Sequence, residues 1–331
     1  MVVCCGEALI DMVPVQVPLG KNPDREMGFL PYPGGSPYNT ALALGQLGVA
    51  VQFLGRLSRD FFGERLMTGL IQNRVGTDLL VRSGEPSTLA FVHIEAWKEP
   101  QYLFYPEGAG AHSLTPADIP GRLPEATRCI LFGSIAMTRE PAASAIESLI
   151  FREHTQAAQQ GKAGPLISLD PNIRPCMIPD REAYIHRFET WLRAVSILKT
   201  SAEDLAYIYP DKDLNASMER ALSLGVRLVL LTQGSAGALA LLRGERDERL
   251  QAQVPGFPVT LADTIGAGDT FHGAFLAWLQ LHGRLSPSRV ASLTRGELSE
   301  ALGFANKAAA LVCTRHGANP PALAELDAFT G

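Results

Sequence analysis

The residues with the most chemistry in their spacing lie at 263–281, DTIGAGDTFHGAFLAWLQL. Upstream, VTLAD has the composition of a strand. Downstream, Phe271, Phe275, Trp278 and Leu281 recur at helical spacing and share one face. Gly266, Ala267 and Gly268 therefore fall where a loop enters a helix. Such a corner offers free backbone N–H groups and the positive end of the helix dipole. Its small residues let an anion come close. This arrangement suits a phosphoryl group that gathers negative charge in a transition state. Asp269 stands in the first turn of the same helix. An acid there is ordinarily explained by the dipole alone. Its place directly after a strand and Gly-Ala-Gly gives it a second reading, as a base beside the anion hole. A helix head favours a charged carboxylate and so weakens it as a base. A loose phosphoryl transfer needs little early deprotonation, and a group that orients the hydroxyl and takes its proton late is sufficient.

Other phosphate-binding patterns are missing. GxxxxGK[ST] does not occur, which excludes a P-loop, and GxGxxG fails because position 271 is Phe and the run from Gly108 leads to Ser113. The seven histidines form no HExxH and no close pair, and His272 reads as a packing or solvent-facing residue. The chain has 331 residues, 46% apolar and 19% charged, enough for a large core and too apolar for disorder. A net charge of −5 argues against nucleic acid or an anionic membrane as a partner. Five cysteines with no ligand spacing suggest a reducing, cytoplasmic setting. Glu7 and Asp11 interrupt the apolar run of MVVCCGEALIDMV and no basic segment precedes it, so neither a signal peptide nor a membrane span is expected there.

The elements that must carry this corner alternate. Val2–Cys5 reads as a buried strand whose adjacent Cys4 and Cys5 point to opposite faces. In GGSPYNTALALGQLG, Ser36 is the expected N-cap, Pro37 the first helical residue and Gly48 the stop, with Ala41, Leu44 and Leu47 as the apolar stripe. VQFLG, CILFGSI, PLISLD, SILKT and LVLLTQG read as strands beside helical stretches such as FFGERLMTGLIQNRVG. Repeated βαβ units imply an α/β fold, a mainly parallel sheet with helices on both faces. Two β-rich stretches break the rhythm: 12–33, and 85–110 with LAFVHIEAW and QYLFYPE joined by a turn near Lys98–Pro100. They are expected to pair as a small lid on a large domain made of 1–11, 34–84 and 111–331.

Three segments together point to a family. DTIGAGDTFHGAF resembles the C-terminal signature of the ribokinase/PfkB sugar kinases, PGGSPYNTALALGQLG with FLGRLSRDFFGERL resembles the N-terminal one, and LLTQGSAGALAL resembles the turn of the ATP site. DPNIRP, FGSIAMT and LFYPEGA look most like the fructokinase branch, although Glu107 and His112 stand where those relatives often carry other polar residues. The resemblance implies a ribokinase-like fold and ATP-dependent phosphorylation of a primary sugar hydroxyl, with D-fructose going to fructose 6-phosphate. Other acceptors are a second ketose, a 2-keto-3-deoxy sugar acid or a riboside. A non-catalytic sugar-binding protein on the same fold is the reading from another class.

Carried over residue by residue, Asp269 is the base, and the backbone of Gly266, Ala267 and Gly268 forms the anion hole. Asp11, Gly34, Gly35, Asn39 and Arg174 face the sugar. Phe104 and Tyr105 alternate on a strand, leaving one for the sugar and one for packing, or both for packing; Tyr105 is counted with the sugar set. Thr232, Gly234 and Gly237 line the ATP site, with Asn306 beside adenine, and Lys199 either faces the phosphates or caps a strand edge. Ser201 and Asp204 replace the family's N-x-x-E, so Mg2+ is expected at Asp204 through water. Asp263 and the Ile265 carbonyl match positions for a monovalent cation, K+ by resemblance, or Asp263 only braces its loop. The lid is expected to close over the sugar and to pair with a second copy as a homodimer.

Overall fold

Val2–Cys5 is apolar throughout and buried throughout, as a strand at the centre of a two-sided sheet must be. The computed structural model describes residues 1–18, 25–93, 101–105, 108–160 and 164–329. The turn proposed near Lys98–Pro100 and Glu107 lie outside the described residues. In chain order the strands are β1 (Val2–Cys5), β2 (Leu9–Pro18), β3 (Arg25–Gly34), β4 (Val51–Ser58), β5 (Leu80–Ser83), β6 (Leu89–His93), β7 (Gln101–Tyr105), β8 (Cys129–Gly133), β9 (Leu166–Asp170), β10 (Ile197–Ser201), β11 (Leu228–Thr232), β12 (Ala238–Arg243) and β13 (Arg249–Val254). The helices are α1 (Ser36–Gln46), α2 (Phe61–Gln72), α3 (Ala142–Gln160), α4 (Arg181–Trp191), α5 (Ala202–Ile208), α6 (Leu214–Leu224), α7 (Ala267–Leu281), α8 (Pro287–Ala291), α9 (Arg295–Val312) and α10 (Leu323–Ala328).

Nine strands form the main sheet in the order β13-β12-β11-β10-β9-β8-β1-β4-β5, parallel from β11 to β5 and antiparallel at the β12–β13 edge. The pleat sorts the core into two layers. Val2 and Cys4 join one apolar cluster with α1, α2, α7 and α9, while Val3 and Cys5 join the other with α3, α4, α5 and α6. The two adjacent cysteines thus face opposite ways, as alternation requires. The chain runs outward from β1 to β4 and β5 and then returns to β8 on the other side of β1. That reversal is a topological switch point, and the crevice at the strands' carboxyl ends there is where open α/β sheets place ligands.

A second, antiparallel-rich sheet has the order β3-β2-β6-β7. It takes in more than the insertion 12–33 suggested, since β2 begins at Leu9 and pairs it with Gly34 at the end of β3. Leu9, Ala90, Tyr102 and Phe104 face the main body, packing near Ile135 and Met177. Phe29, Phe91 and Tyr105 pack edge-to-face on the other side.

Three local expectations are corrected. The N-cap of α1 is Gly35, with φ +105°, and Ser36 is already helical, so its hydroxyl is free for another partner. VTLAD is not a strand: the sheet already ends in the β12–β13 hairpin, and the amides of Ala262 and Asp263 donate instead to the Cys313 carbonyl at the end of α9, at 2.8 and 3.3 Å. Leu281 is half exposed at the end of α7, off the face that buries Phe271, Phe275 and Trp278.

Candidate active site at the head of α7

α7 begins after Gly266, whose φ of +75° lies in the left-handed region and whose Cβ, if present, would stand 2.6 Å from that of Ala318. A side chain at 266 is therefore strained twice over. The following residues present the amides expected of an anion hole, with one adjustment. The Ala267 amide turns toward the Thr264 carbonyl at 3.2 Å, while the Gly268 amide has no acceptor among the described residues. Gly268 also lies against Lys199: a Cβ there would be 2.9 Å from the ammonium nitrogen.

Asp269 is buried and both its oxygens are held from α1. The Ser36 hydroxyl donates to Oδ1 at 2.6 Å, and the Asn39 amide donates to Oδ2 at 2.9 Å. A carboxylate only accepts, so the orientation of the Asn39 amide is settled, and its Oδ1 points elsewhere. That oxygen is buried without a partner among the described residues, and Asn39 is one of the residues lining the adjoining cavity. A buried acceptor of this kind is costly unless a ligand donor meets it.

The cavity, about 160 Å³, sits at the switch point. Each flanking strand end contributes. Glu7 follows β1, Ser134 follows β8, Asn172 and Arg174 follow β9, and Lys199 stands on β10. Asp11 reaches it from β2, and Tyr102 and Phe104 close it from β7. Gly34 makes room for Asp11: a Cβ at 34 would fall 2.1 Å from Asp11 Oδ2. Gly35 is required by its φ and by the Glu7 carbonyl, 2.7 Å from where its Cβ would be. Tyr105 does not enter. The pleat puts it on the outer face, 57% exposed with its ring 5.7 Å from Phe91, and Phe104 takes the inward position.

The electrostatics follow from burial. Glu7 accepts the Ser36 and Ala136 amides, each at 3.1 Å, yet burial pushes its carboxyl up to about 7. Burial likewise raises Asp11 to about 7; the Arg174 guanidinium pulls the other way, and Asp269 adds to the rise. Arg174 is braced by the Asn172 side chain at 2.9 Å and stacks over Tyr102 at 5.0 Å. Lys199 is no strand-edge cap. It is buried in an interior strand and pairs with Asp170 at 2.8 Å. Asp170 raises Lys199 above its ordinary value although burial, the largest influence, opposes it. Burial pushes Asp170 up to about 6 against the pull of Lys199, and the pair is ionised at neutral pH. His272 is fully buried below them rather than solvent-facing. Its Nε2 meets the Ser168 hydroxyl at 2.7 Å, and burial first, then Lys199, drives its pKa far down, so it is neutral.

A second cavity, about 560 Å³, lies on the other side of the loop before α7. Gly234, Ser235, Gly256, Phe257, Asn306 and Cys313 contribute to its walls. Gly237 permits the turn there with φ +94°, where a Cβ would be 2.2 Å from the Val254 carbonyl oxygen. Thr232 is outside both cavities, its hydroxyl donating to the Thr200 carbonyl at 3.3 Å. Asn306 spends its amide protons on the carbonyls of Val254 and Pro255, at 3.0 and 3.1 Å. Thr264 and Ala267 line both cavities, so the two spaces meet at the head of α7.

The residues expected at metals are used by the backbone. Asp204 accepts the Ile173 amide at 2.8 Å and the Ser201 amide at 2.9 Å as a capping box on α5. Asp263 accepts the Ile265 amide at 2.9 Å and the Gly317 amide at 3.0 Å, which ties the loop to the return segment. Among the described residues no group of three acidic, His or Cys side chains could hold a metal. Glu7, Ser134, Asp170, Asn172 and Tyr102 were not singled out as site residues by their sequence, and Ser36 was read only as a cap. DPN, ahead of Arg174, carried a signal that could have drawn in Asp170 and Asn172, and FGSIAMT one for Ser134.

Comparison with known proteins agrees with this architecture. The model of the pfkB family of carbohydrate kinases matches residues 1–325. A fructokinase of Rhizobium leguminosarum bv. trifolii is 37% identical over 88% of this chain and 84% of its own. Fructokinase-1 of Oryza sativa subsp. japonica is 32% identical over 99% of this chain and 96% of its own. The solved structure of a Xylella fastidiosa fructokinase with bound ATP superposes with a TM-score of 0.84 at 28% identity, covering 99% of this chain and 97% of that one.

Proposed function

This chain belongs to the pfkB family of carbohydrate kinases, and we propose that it transfers the γ-phosphoryl group of ATP to the 6-hydroxyl of D-fructose. The observation that carries this reading is the meeting of two cavities at the head of α7, with Asp269 on the smaller side. The smaller takes the sugar. Asp11, Arg174 and Asn39 meet its hydroxyls, and Phe104 with Tyr102 covers it. The larger, apolar-walled cavity takes the nucleotide, with the adenine toward Asn306 and the phosphates toward Gly266–Gly268. The migrating group passes beside the Gly268 amide and Lys199. Preorganised donors there offset the charge that gathers on its equatorial oxygens. Asp269 orients the acceptor hydroxyl and takes its proton late. Relatives with fructokinase names favour fructose over another ketose, a keto-deoxy acid or a riboside, and favour a kinase over a binding protein.

ATP would enter as its Mg2+ complex. Mg2+ keeps much of its water shell, so Asp204, with one amide on each oxygen, would meet it through water rather than directly. Each Asp263 oxygen holds one amide and keeps a lone pair, which with the Ile265 carbonyl fits a large monovalent cation such as K+. The second sheet serves as a lid over the sugar, excluding water from the transfer. Its outer face, with Met27, Leu103 and Tyr105 exposed, suits a second copy of the chain, giving a homodimer. Five unpaired cysteines fit a reducing, cytoplasmic setting. Among the described residues no helix is long and apolar enough to cross a membrane.

The test is ADP release over a panel of sugars, with Mg2+ and with or without K+. The reading expects fructose to give the highest kcat/KM. Turnover only with a keto-deoxy acid or riboside refutes the substrate, and sugar binding without ADP refutes the kinase. Light scattering checks the dimer, and a monomer at working concentration removes it.

A further inference from the structure

We propose that Ser36 is a positioning residue for the transfer step, its hydroxyl holding the Asp269 carboxylate in the attitude that meets the acceptor oxygen. The inference rests on the reading of Asp269 as the base. A hydroxyl has a single proton, and here it is committed to Asp269 Oδ1 at 2.6 Å, both residues being buried. The rest of Ser36 is fixed. Its amide donates to Glu7 Oε1 at 3.1 Å, and the other oxygen of Glu7 takes the Ala136 amide at 3.1 Å. Ser36 is thereby pinned between the end of β1, the head of α1 and the turn after β8. Gly35 has taken over the capping position, which leaves the serine side chain for this one contact.

The contact answers a problem particular to this corner. A carboxylate in the first turn of a helix can fold back onto the free N–H groups of that turn. Here it would fill the anion hole it is meant to serve. Ser36 and Asn39 draw both oxygens toward α1, away from the Gly268 amide. Each oxygen retains a lone pair for the incoming hydroxyl. Ser36 and Asn39 both line the sugar cavity, but the single proton of the Ser36 hydroxyl goes to Asp269, so an unchanged KM for the sugar separates lost orientation at Ser36 from a lost sugar contact.

The test is steady-state kinetics of Ser36→Ala and Ser36→Cys with MgATP and fructose, alone and combined with Asp269→Asn. Misorientation of a reacting group costs up to about a hundredfold. Ser36→Ala is expected to lower kcat about 10- to 100-fold with both KM values within about twofold. Ser36→Cys keeps the shape with a weak donor, so its kcat should fall between Ser and Ala. In the Asp269→Asn background Ser36→Ala should change the residual rate less than about twofold, because there is no longer a base to orient. A kcat within twofold of wild type in both variants overturns the inference. So does an equal fall in the Asp269→Asn background, or a fall confined to KM. If Ser36→Ala does not fold, the cysteine variant decides by the same criteria at wild-type melting behaviour. If Asp269→Asn alone keeps near-normal turnover, the base assignment fails instead, and the two failures are told apart.

Discussion

Asp170→Asn removes one charge from the most deeply buried ion pair described in the molecule. The side chains of Lys199 and Asp170 are 5% and 2% exposed and 2.8 Å apart. At an effective dielectric of about 20 their attraction is about 6 kcal/mol, which offsets the cost of desolvating both. Asparagine keeps an oxygen for the Asn172 amide, now bonded to Asp170 Oδ1 at 3.1 Å, but leaves the ammonium unpaired. Breaking such a pair from one side costs about 3–5 kcal/mol. Urea unfolding followed by far-UV circular dichroism should show that loss at pH 7.5. The double variant Asp170→Asn/Lys199→Met, which leaves no buried charge, should recover at least half of it. Lys199→Met should also lower kcat, since it withdraws the cation beside Gly268. A single-variant loss below about 1 kcal/mol, or losses that simply add in the double, would refute the reasoning that these charges compensate each other in a dry interior.

Gly34→Ala should act as a remote loss of Asp11, because its Cβ would stand 2.1 Å from Oδ2. Since a hydrogen bond to a charged group is worth about 1.5–3 kcal/mol, KM for fructose should rise about 10- to 100-fold while nucleotide binding, read by titration with ADP, stays unchanged. The pH dependence has a definite sign. Glu7 and Asp11 are both held near 7 when folded, above their unfolded values, so the folded apoprotein binds more protons than the unfolded chain between about pH 4 and 7. Their ionisation therefore costs stability as pH rises toward 7 and beyond, and in the apoprotein Asp11→Asn should flatten this trend in urea midpoints measured from pH 5.5 to 8. With the ionised Asp11 proposed to bind fructose, kcat/KM for fructose should fall as pH drops below about 7, and this limb should be absent in Asp11→Asn.

The path from sequence to site was legible where local rules act alone. Alternating βαβ units gave the sheet, and Gly-Ala-Gly at 266–268 ahead of an apolar helical face gave the corner, which the structure forms with Gly266 left-handed. It was not legible where the decision lay in another part of the chain. Ser36 is an excellent N-cap by type, but Glu7 binds its amide and Asp269 its hydroxyl, and neither is near in sequence. VTLAD has strand composition, yet β13 already occupies the sheet edge and Cys313 takes its amides. Phe104 and Tyr105 were equivalent until the pleat of β7 was fixed by the packing of Leu9 and Ala90. Asp170 stood in the DPN signal without its partner, and His272 showed nothing of its burial, because Lys199 and Ser168 reach them from other elements.

The central claim is that Asp269 serves the acceptor hydroxyl while the head of α7 receives the migrating phosphoryl group. Single-turnover transfer by Asp269→Asn, with saturating MgATP and fructose, tests it most directly. A general base of this kind contributes about 10²- to 10⁴-fold, so the transfer rate should fall by that factor with ADP and fructose affinities retained. A rate within a few-fold of wild type would contradict the account.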